Sequence, residues 1–336
     1  MIQEESGSFQ QKIQTRFPAI ILCAGLSVFF MNVGFLSLFF LVPVGYAVMV
    51  YGSPWIAFFT VTGFYVLSGV IIRMISNSSI LIGMDIFHFI IMFLGFIWIM
   101  AGSKLINTVN MRTAYRFILA SAASAVVFLV FISGTLNPAF NTFLAETAEI
   151  VSSLIFSSAG GDAVRTSSLQ QYMTVEAIID TVKRVMLRGG AIATMSFLFF
   201  LNRHISYTFV MLTKRQRKDL GLKCFFAPAN SVWILTGSLA VIFLTRLINA
   251  EIPEILAWNV FVICAMIFLA QGAGIAIFLL ERQSTTFRLI FNVVVILLII
   301  SPLSTILIAA ILLLGISENW VTFRAPKGDS ISTPGL

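Results

Sequence analysis

Charged residues and histidine are scarce in this chain of 336 residues. Only 10% of the residues are Asp, Glu, Lys or Arg, and there are two histidines. With so few groups that titrate near neutral pH, little acid–base catalysis is expected. The sequence also lacks a glycine-rich phosphate loop with its lysine, a His-Glu-x-x-His zinc pattern and a Gly-x-Ser-x-Gly nucleophile elbow. We therefore predict that the protein is not an enzyme and needs no cofactor or metal.

Cysteine is rare as well. Cys23, Cys224 and Cys264 are far apart in the chain and have no metal-ligand spacing, so we interpret them as structural. The formal net charge is +7, which is sometimes a sign of nucleic-acid binding. Here the basic residues lie at the ends of apolar runs, where membrane orientation accounts for them, and no nucleic-acid partner is predicted.

Polar residues are too few to cover the surface of a soluble fold. Hydrophobic residues make up 59% of the chain, and 33 residues are Phe. Helices of about 20 mostly apolar residues cross the roughly 30 Å hydrocarbon layer of a membrane. Nine such runs occur, at 17–32, 34–51, 54–74, 79–101, 115–133, 188–212, 231–249, 255–280 and 287–316. The sequence predicts an all-α, polytopic transmembrane helix bundle of about nine spans, within a range of eight to ten.

Lysine and arginine gather on one side of this predicted bundle, and that side is expected to be the cytoplasm. The N-terminus is therefore predicted in the cytoplasm, with the protein in the bacterial cytoplasmic (inner) membrane. The expected segments are a cytoplasmic N-terminus 1–16, a six-helix core 17–212, a basic cytoplasmic loop 213–230, C-terminal helices 231–320 and a polar tail 321–336. Pro302 makes the last run either one kinked helix or two short ones, so the side of the tail stays open.

The six-helix core contains one long polar stretch, the predicted extracytoplasmic loop 136–186. Apolar residues recur at helical spacing in its two halves, between Phe140 and Ile155 and between Val175 and Met186. Two amphipathic helices are predicted. They either cap the outer mouth of the bundle or lie on the lipid headgroups.

Three ionisable residues are candidates for a solute site. Asp85 and His88 lie three residues apart on the fourth run, and Arg73 ends the preceding run on the same predicted side. Ionisable groups inside a span are costly, so such residues often bind a solute or relay a proton. We predict an outward-facing pocket in which Asp85 and His88 bind the solute and Arg73 attracts an anionic group. The alternative is an interhelical hydrogen bond that fixes packing.

Basic residues that follow the sixth run are candidates for contact with a partner or with lipid. They are Lys214, Arg215, Arg217 and Lys218, preceded by the cluster Asn202-Arg203-His204. These residues either dock a protein or anionic headgroups, or are ordinary charges that orient the protein. The uncharged polar residues Asn259 and Gln271, and the small residues Ser121 and Ser124, are interpreted as packing contacts between helices.

The C-terminal third carries a family resemblance. The motifs are 226–235 (FAPANSVWIL), the stretch from Trp258-Asn259 through Gln271-Gly272 to Glu281-Arg282, and 314–324 (LGISENWVTFR). Together they resemble the YybS-like family of bacterial polytopic membrane proteins of unknown function. One departure is Gly189-Gly190, where a proline is expected.

That family is similar in its first six spans to the S components of energy-coupling-factor transporters. The resemblance implies a six-helix core with an outward-facing pocket, which binds or transports a small-molecule solute, and a coupling membrane protein or ATPase as a partner. The lipid bilayer is the other expected partner. The alternative hypothesis is a non-catalytic scaffold of the bacterial envelope that recruits other proteins.

Overall fold

The computed structural model describes residues 17–76, 82–102, 111–132, 142, 145–150, 153, 174–214 and 221–324. Within these ranges the secondary structure is helical and contains no β-strand. The chain divides into two compact units, one formed by Met1–Ile106 and Tyr115–Lys218 and the other by Asn107–Ala114 and Asp219–Leu336. The all-α prediction is confirmed for the described residues.

Within the described residues up to 214, six helices follow the first six predicted apolar runs, and one short helix directly precedes the sixth run. They are α1 (Phe17–Met31), α2 (Val42–Tyr51), α3 (Pro54–Ser76), α4 (Ile82–Gly102), α5 (Met111–Ile132), α6 (Val175–Val185) and α7 (Ala191–Lys214). In the first unit, α2 is largely buried and packs against α1, α4 and α7.

The second predicted run is not one continuous helix. A 3₁₀ turn at Gly34–Phe39 precedes α2, whose ten residues span only about 15 Å. Side chains from neighbouring helices bind the carbonyl groups of this irregular segment. The Ser27 hydroxyl donates to the Phe40 carbonyl at 2.6 Å, and the Asn202 amide donates to the Leu38 carbonyl at 2.8 Å. The break is therefore stabilised by polar groups on α1 and α7.

A bend joins α6 to α7. The hydroxyl of Thr174 caps α6 by accepting from the Ala177 N–H at 3.2 Å, and α6 has apolar and charged faces as the pattern predicts. The following turn, Met186–Gly190, contains Gly189 with a φ of +99°. Proline has a fixed negative φ, so it cannot occupy position 189. Half of the first predicted amphipathic helix lies outside the described residues, and its described residues 142, 145–150 and 153 are helical.

The described residues of the second unit include four α-helices, α8 (Asn230–Ile248), α9 (Glu251–Glu281), α10 (Thr285–Ile300) and α11 (Ser304–Ser317). The final predicted run is thus two short helices separated at Pro302. Gly272 on α9 and Gly315 on α11 let the two backbones approach closely, because a Cβ atom on either glycine would clash with a carbonyl of the facing helix.

Among the described residues, four helical segments are long and apolar enough to cross a membrane. They are Pro54–Ile71, Glu176–Thr213, Asn230–Ile248 and Glu251–Glu281, and several shorter apolar helices accompany them. Large apolar side chains such as Trp233 and Leu247 are 76% and 80% exposed. An apolar surface of this kind is compatible with contact with the lipid bilayer and is typical of a membrane protein. The number of nine spans stays a prediction.

Candidate functional site

His88 lies inside the first unit, on α4. Its side chain is 7% exposed, and its ring centroid is 5.6 Å from that of Phe89 and 5.5 Å from that of Phe128 on α5. Tyr65 on α3 extends this aromatic group, with its ring 4.8 Å from Phe89. One of the two histidines in the chain is therefore buried against aromatic rings from α4 and α5, and a ring from α3 packs on one of these.

The other two predicted pocket residues, Arg73 and Asp85, are on α3 and α4, but their side chains lie outside the described part of the structure. Arg73 is in the last turn of α3, and Asp85 is in the first turn of α4, three residues before His88. Their participation in a pocket with His88 stays a prediction.

Ser121 and Ser124 on α5, which are predicted from the sequence to be packing contacts, are buried. Both side chains are 0% exposed, and neither hydroxyl has a hydrogen-bond partner among the described residues. Ser124 is one helical turn before Phe128, whose ring packs on His88, and Ser121 is about two turns before it. Both hydroxyls are therefore on the helix that contacts His88.

Several other serine residues in the helices bond to their own backbone, although the hydroxyl of Thr62 on α3 also has no partner among the described residues. The hydroxyl of Ser68 donates to the Tyr65 carbonyl at 2.8 Å, and that of Ser238 donates to the Leu235 carbonyl at 2.7 Å. This local bond is the usual arrangement for a hydroxyl within a helix. A buried hydroxyl that makes no bond costs about 1–3 kcal/mol. Sequence reasoning could not separate these serines, because their short spacing on a helix is also the signature of close packing.

The predicted partner-binding residues are mostly outside the described ranges. Lys214 is the last residue of α7, and its side chain, like the whole of Arg215, Arg217 and Lys218, is not described. Asn202, which precedes them, is fully buried and donates to the carbonyl groups of Leu38 and Leu198. It stabilises the first unit and is not exposed to a partner.

A second polar cluster lies in the second unit, and each of its side chains forms hydrogen bonds within the protein. The Gln271 amide donates to the Glu318 carboxylate at 3.0 Å, and the Gln271 carbonyl accepts from the Ala227 N–H at 2.6 Å. Arg324 forms two bonds to the same carboxylate, one of them from Nε to Oε1 at 2.7 Å. The interpretation of Gln271 as a packing contact agrees with these bonds, whereas the pairing of Glu318 with Arg324 was not predicted.

Arg324 also ties the C-terminal residues to the segment before α8. Its Nη1 donates to the Lys223 carbonyl at 2.6 Å, and its guanidinium carbon lies 3.9 Å from the ring centroid of Phe226. Lys223 in turn pairs with Glu281 at the end of α9. The three motifs that carry the family resemblance therefore meet in one cluster, and residue 324 lies at the same end of the second unit as Lys223.

No group of three histidine, cysteine, aspartate or glutamate side chains that could hold a metal occurs within the described ranges. Over the described residues, the fold and the two clusters define an apolar, helical protein with helices long and apolar enough to cross a membrane. These residues include one paired polar cluster and one region of buried hydroxyls without partners. Comparisons with family models, with curated proteins and with solved structures gave no match.

Proposed function

We propose that the protein is an integral membrane protein of the bacterial cytoplasmic membrane whose first unit binds a small polar solute. The observation that carries this proposal is the burial of Ser121 and Ser124 without hydrogen-bond partners among the described residues. Polar groups in an apolar interior are normally paired, and exceptions are often sites that are completed by a bound molecule. The proposed resemblance to S components of transporters agrees with a solute site in this unit.

The chemistry of the region suits a small molecule with hydrogen-bonding groups. Each serine hydroxyl can donate one bond and accept others, and the His88 ring offers a further polar group between aromatic walls. A solute that bonds to both hydroxyls would remove the cost of their burial. Arg73 and Asp85 are the proposed charged residues at the outer end of this site, and they would favour a solute that carries charge.

Native mass spectrometry of the protein purified in mild detergent from its own host tests this function. We expect a retained small molecule on the unmodified protein and its loss from the double variant Ser121→Ala/Ser124→Ala. Ser238→Ala is the matched control, since its hydroxyl is buried but bonded within its own helix. A retained molecule that survives the double substitution would contradict the proposed site, and an unmodified protein with no small molecule would contradict solute capture.

The proposed topology places the N-terminus, Lys223 and residue 324 on the cytoplasmic side. The contact between Arg324 and Lys223 supports the shared side of the last two. Single cysteines at Gln216 and Thr322, in a cysteine-free background, should then be labelled from the cytoplasm. A cysteine at Ser158 should be labelled from outside. Labelling of positions 216 and 322 from opposite sides would contradict this arrangement.

A membrane scaffold is the second candidate function, and α10 favours it. This apolar helix has most of its described side chains exposed, with Leu289 at 65% and Leu297 at 62%, and its main contact is with α11. A transmembrane helix of another protein could pack on such a face. A photoreactive residue at Val293 would test it: crosslinks to one protein in stoichiometric yield favour the scaffold, and crosslinks to lipid alone exclude this face as a recruitment surface.

A further inference from the structure

An apolar groove runs between α4 and α5 on the first unit, with a volume of about 380 Å³. Small residues make it possible: Gly95 faces Ala120 so closely that a Cβ atom on the glycine would lie 3.1 Å from the alanine Cβ, and Ala123 lines the groove one turn further along α5. The rings of Trp55 and Trp98 line it as well. The volume falls in the range of roughly 300–1,000 Å³ that is typical of small-molecule sites.

The groove runs along the axes of α4 and α5, and its two ends are lined by different residues. On α4 it extends from Trp98 to Ile91, which is about 10 Å at 1.5 Å per residue. Gly95 lies opposite Ala120, and Trp98 lies beside Arg116, so the two helices run in opposite directions along it. One end is therefore marked by Trp98 and Arg116, and the other by Ile91 and Ala123.

A positive charge lies at the first end. The Arg116 guanidinium carbon is 5.8 Å from the centroid of the Trp98 ring, a cation–π arrangement. No carboxylate of the described residues forms an ion pair with Arg116. Trp55 and Trp98 are 63% and 43% exposed, and tryptophan is enriched at the level of the lipid headgroups. The end with Arg116 thus has the composition of a membrane interface.

We propose that this groove binds an anionic phospholipid, with an acyl chain along α4 and α5 and the phosphate beside Arg116. The lining is almost entirely apolar, so a polar solute would have no groups to bond with inside it. An anionic phospholipid matches both the apolar lining and the end with Arg116. Its acyl chain is apolar, and its headgroup carries the negative charge that complements arginine. The predicted orientation puts this end of α4 and α5 on the cytoplasmic side, where the anionic lipids of a membrane attract basic residues.

Quenching of tryptophan fluorescence by brominated lipids tests the proposal. In a variant in which Trp233, Trp258 and Trp320 are replaced by phenylalanine, the tryptophan fluorescence comes from Trp55 and Trp98 alone. This variant is reconstituted in phosphatidylcholine vesicles that contain either brominated phosphatidylglycerol or brominated phosphatidylcholine at equal mole fractions. We expect about a fivefold preference for the anionic lipid, since one arginine near the surface contributes about 1 kcal/mol and tenfold corresponds to 1.4 kcal/mol.

Two substitutions separate the headgroup site from the chain site. Arg116→Gln should abolish the preference and leave quenching by phosphatidylcholine unchanged, whereas Arg288→Gln, a change at an exposed arginine in the first turn of α10, should keep the preference. Ala123→Phe should reduce quenching by both lipids, because the added ring occupies the groove. Equal quenching by both lipids in the parent, or a preference that Arg116→Gln leaves intact, would overturn the proposal.

Native mass spectrometry of the unmodified protein gives a second measurement that does not depend on the tryptophan variants. A phosphatidylglycerol adduct that remains during delipidation, and that the Arg116→Gln protein loses, supports the site. An unmodified protein that releases phosphatidylglycerol as readily as phosphatidylcholine contradicts it.

Discussion

Removal of the Ser121 and Ser124 hydroxyls should make the solute-free protein more stable. Each side chain is 0% exposed and its hydroxyl has no partner among the described residues, so each contributes a cost of about 1–3 kcal/mol in the unliganded state. Alanine removes the polar atom and keeps the helix. We therefore expect each single substitution to raise the free energy of unfolding, and the double variant to raise it further.

Ser238→Ala supplies the reference for this comparison. Alanine is a better helix former than serine, and this gain is common to all three substitutions. The Ser238 hydroxyl is also buried but donates to the Leu235 carbonyl, so its removal leaves only the propensity effect and the loss of that bond. The difference between Ser121→Ala and Ser238→Ala therefore isolates the cost of the hydroxyl without a partner.

Thermal unfolding of the purified variants in one detergent, after removal of the bound small molecule, gives the stability of the solute-free protein. Native mass spectrometry of the untreated proteins shows whether the small molecule is retained. If the two serines form a binding site, their substitution should raise the stability of the solute-free protein and abolish solute binding. Such opposite effects are common where a functional site lowers stability. The reasoning is refuted if Ser121→Ala and Ser124→Ala lower the stability relative to Ser238→Ala, because the hydroxyls would then have partners in the folded protein.

Three further predictions concern the stabilising contacts. Glu318→Gln should lower stability by about 3–5 kcal/mol, because it leaves the buried Arg324 cation without its carboxylate, and Glu318→Gln/Arg324→Met should recover much of this loss in the same unfolding assay. Gly272→Ala should disrupt the contact between α9 and α11 and give aggregated material in size-exclusion chromatography, whereas Gly237→Ala, at a position with no atom near its Cβ, should remain monodisperse. Asn202→Leu should lower the unfolding free energy by about 1 kcal/mol, because it removes the donor to the partly buried carbonyl of Leu38, and an unchanged stability would contradict a stabilising role for that bond.

The helices were predictable because apolar runs in this chain coincide with them. The break in the second run was not, since it depends on side chains distant in sequence, with Asn202 bonded to a carbonyl 164 residues before it. The helix propensities of residues 34–51 contain no information about a bond from Asn202. Pro302 did indicate a break in the last run, because proline interrupts a helix by a local effect on its own backbone.

The candidate site was predictable only in part. His88 was identified because a histidine inside an apolar run is conspicuous. Ser121 and Ser124 were not, because a serine in a helix usually bonds to its own backbone, and only the structure shows that these two do not. The pair of Glu318 and Arg324 was missed because its spacing of six residues does not match the neighbouring positions of a helix, and the pair forms only where the chain leaves α11.

The two polar clusters differ in a way that assigns them different roles. In the second unit, Gln271, Glu318 and Arg324 bond to one another and to two backbone groups, which leaves little for a ligand to add. A network that is complete within the protein stabilises one structure. Among the described residues, buried side-chain atoms without partners occur only in the first unit, and Ser121 and Ser124 are fully buried there. Because such atoms lower stability until a partner arrives, the first unit is the part of the chain in which a bound solute would gain most.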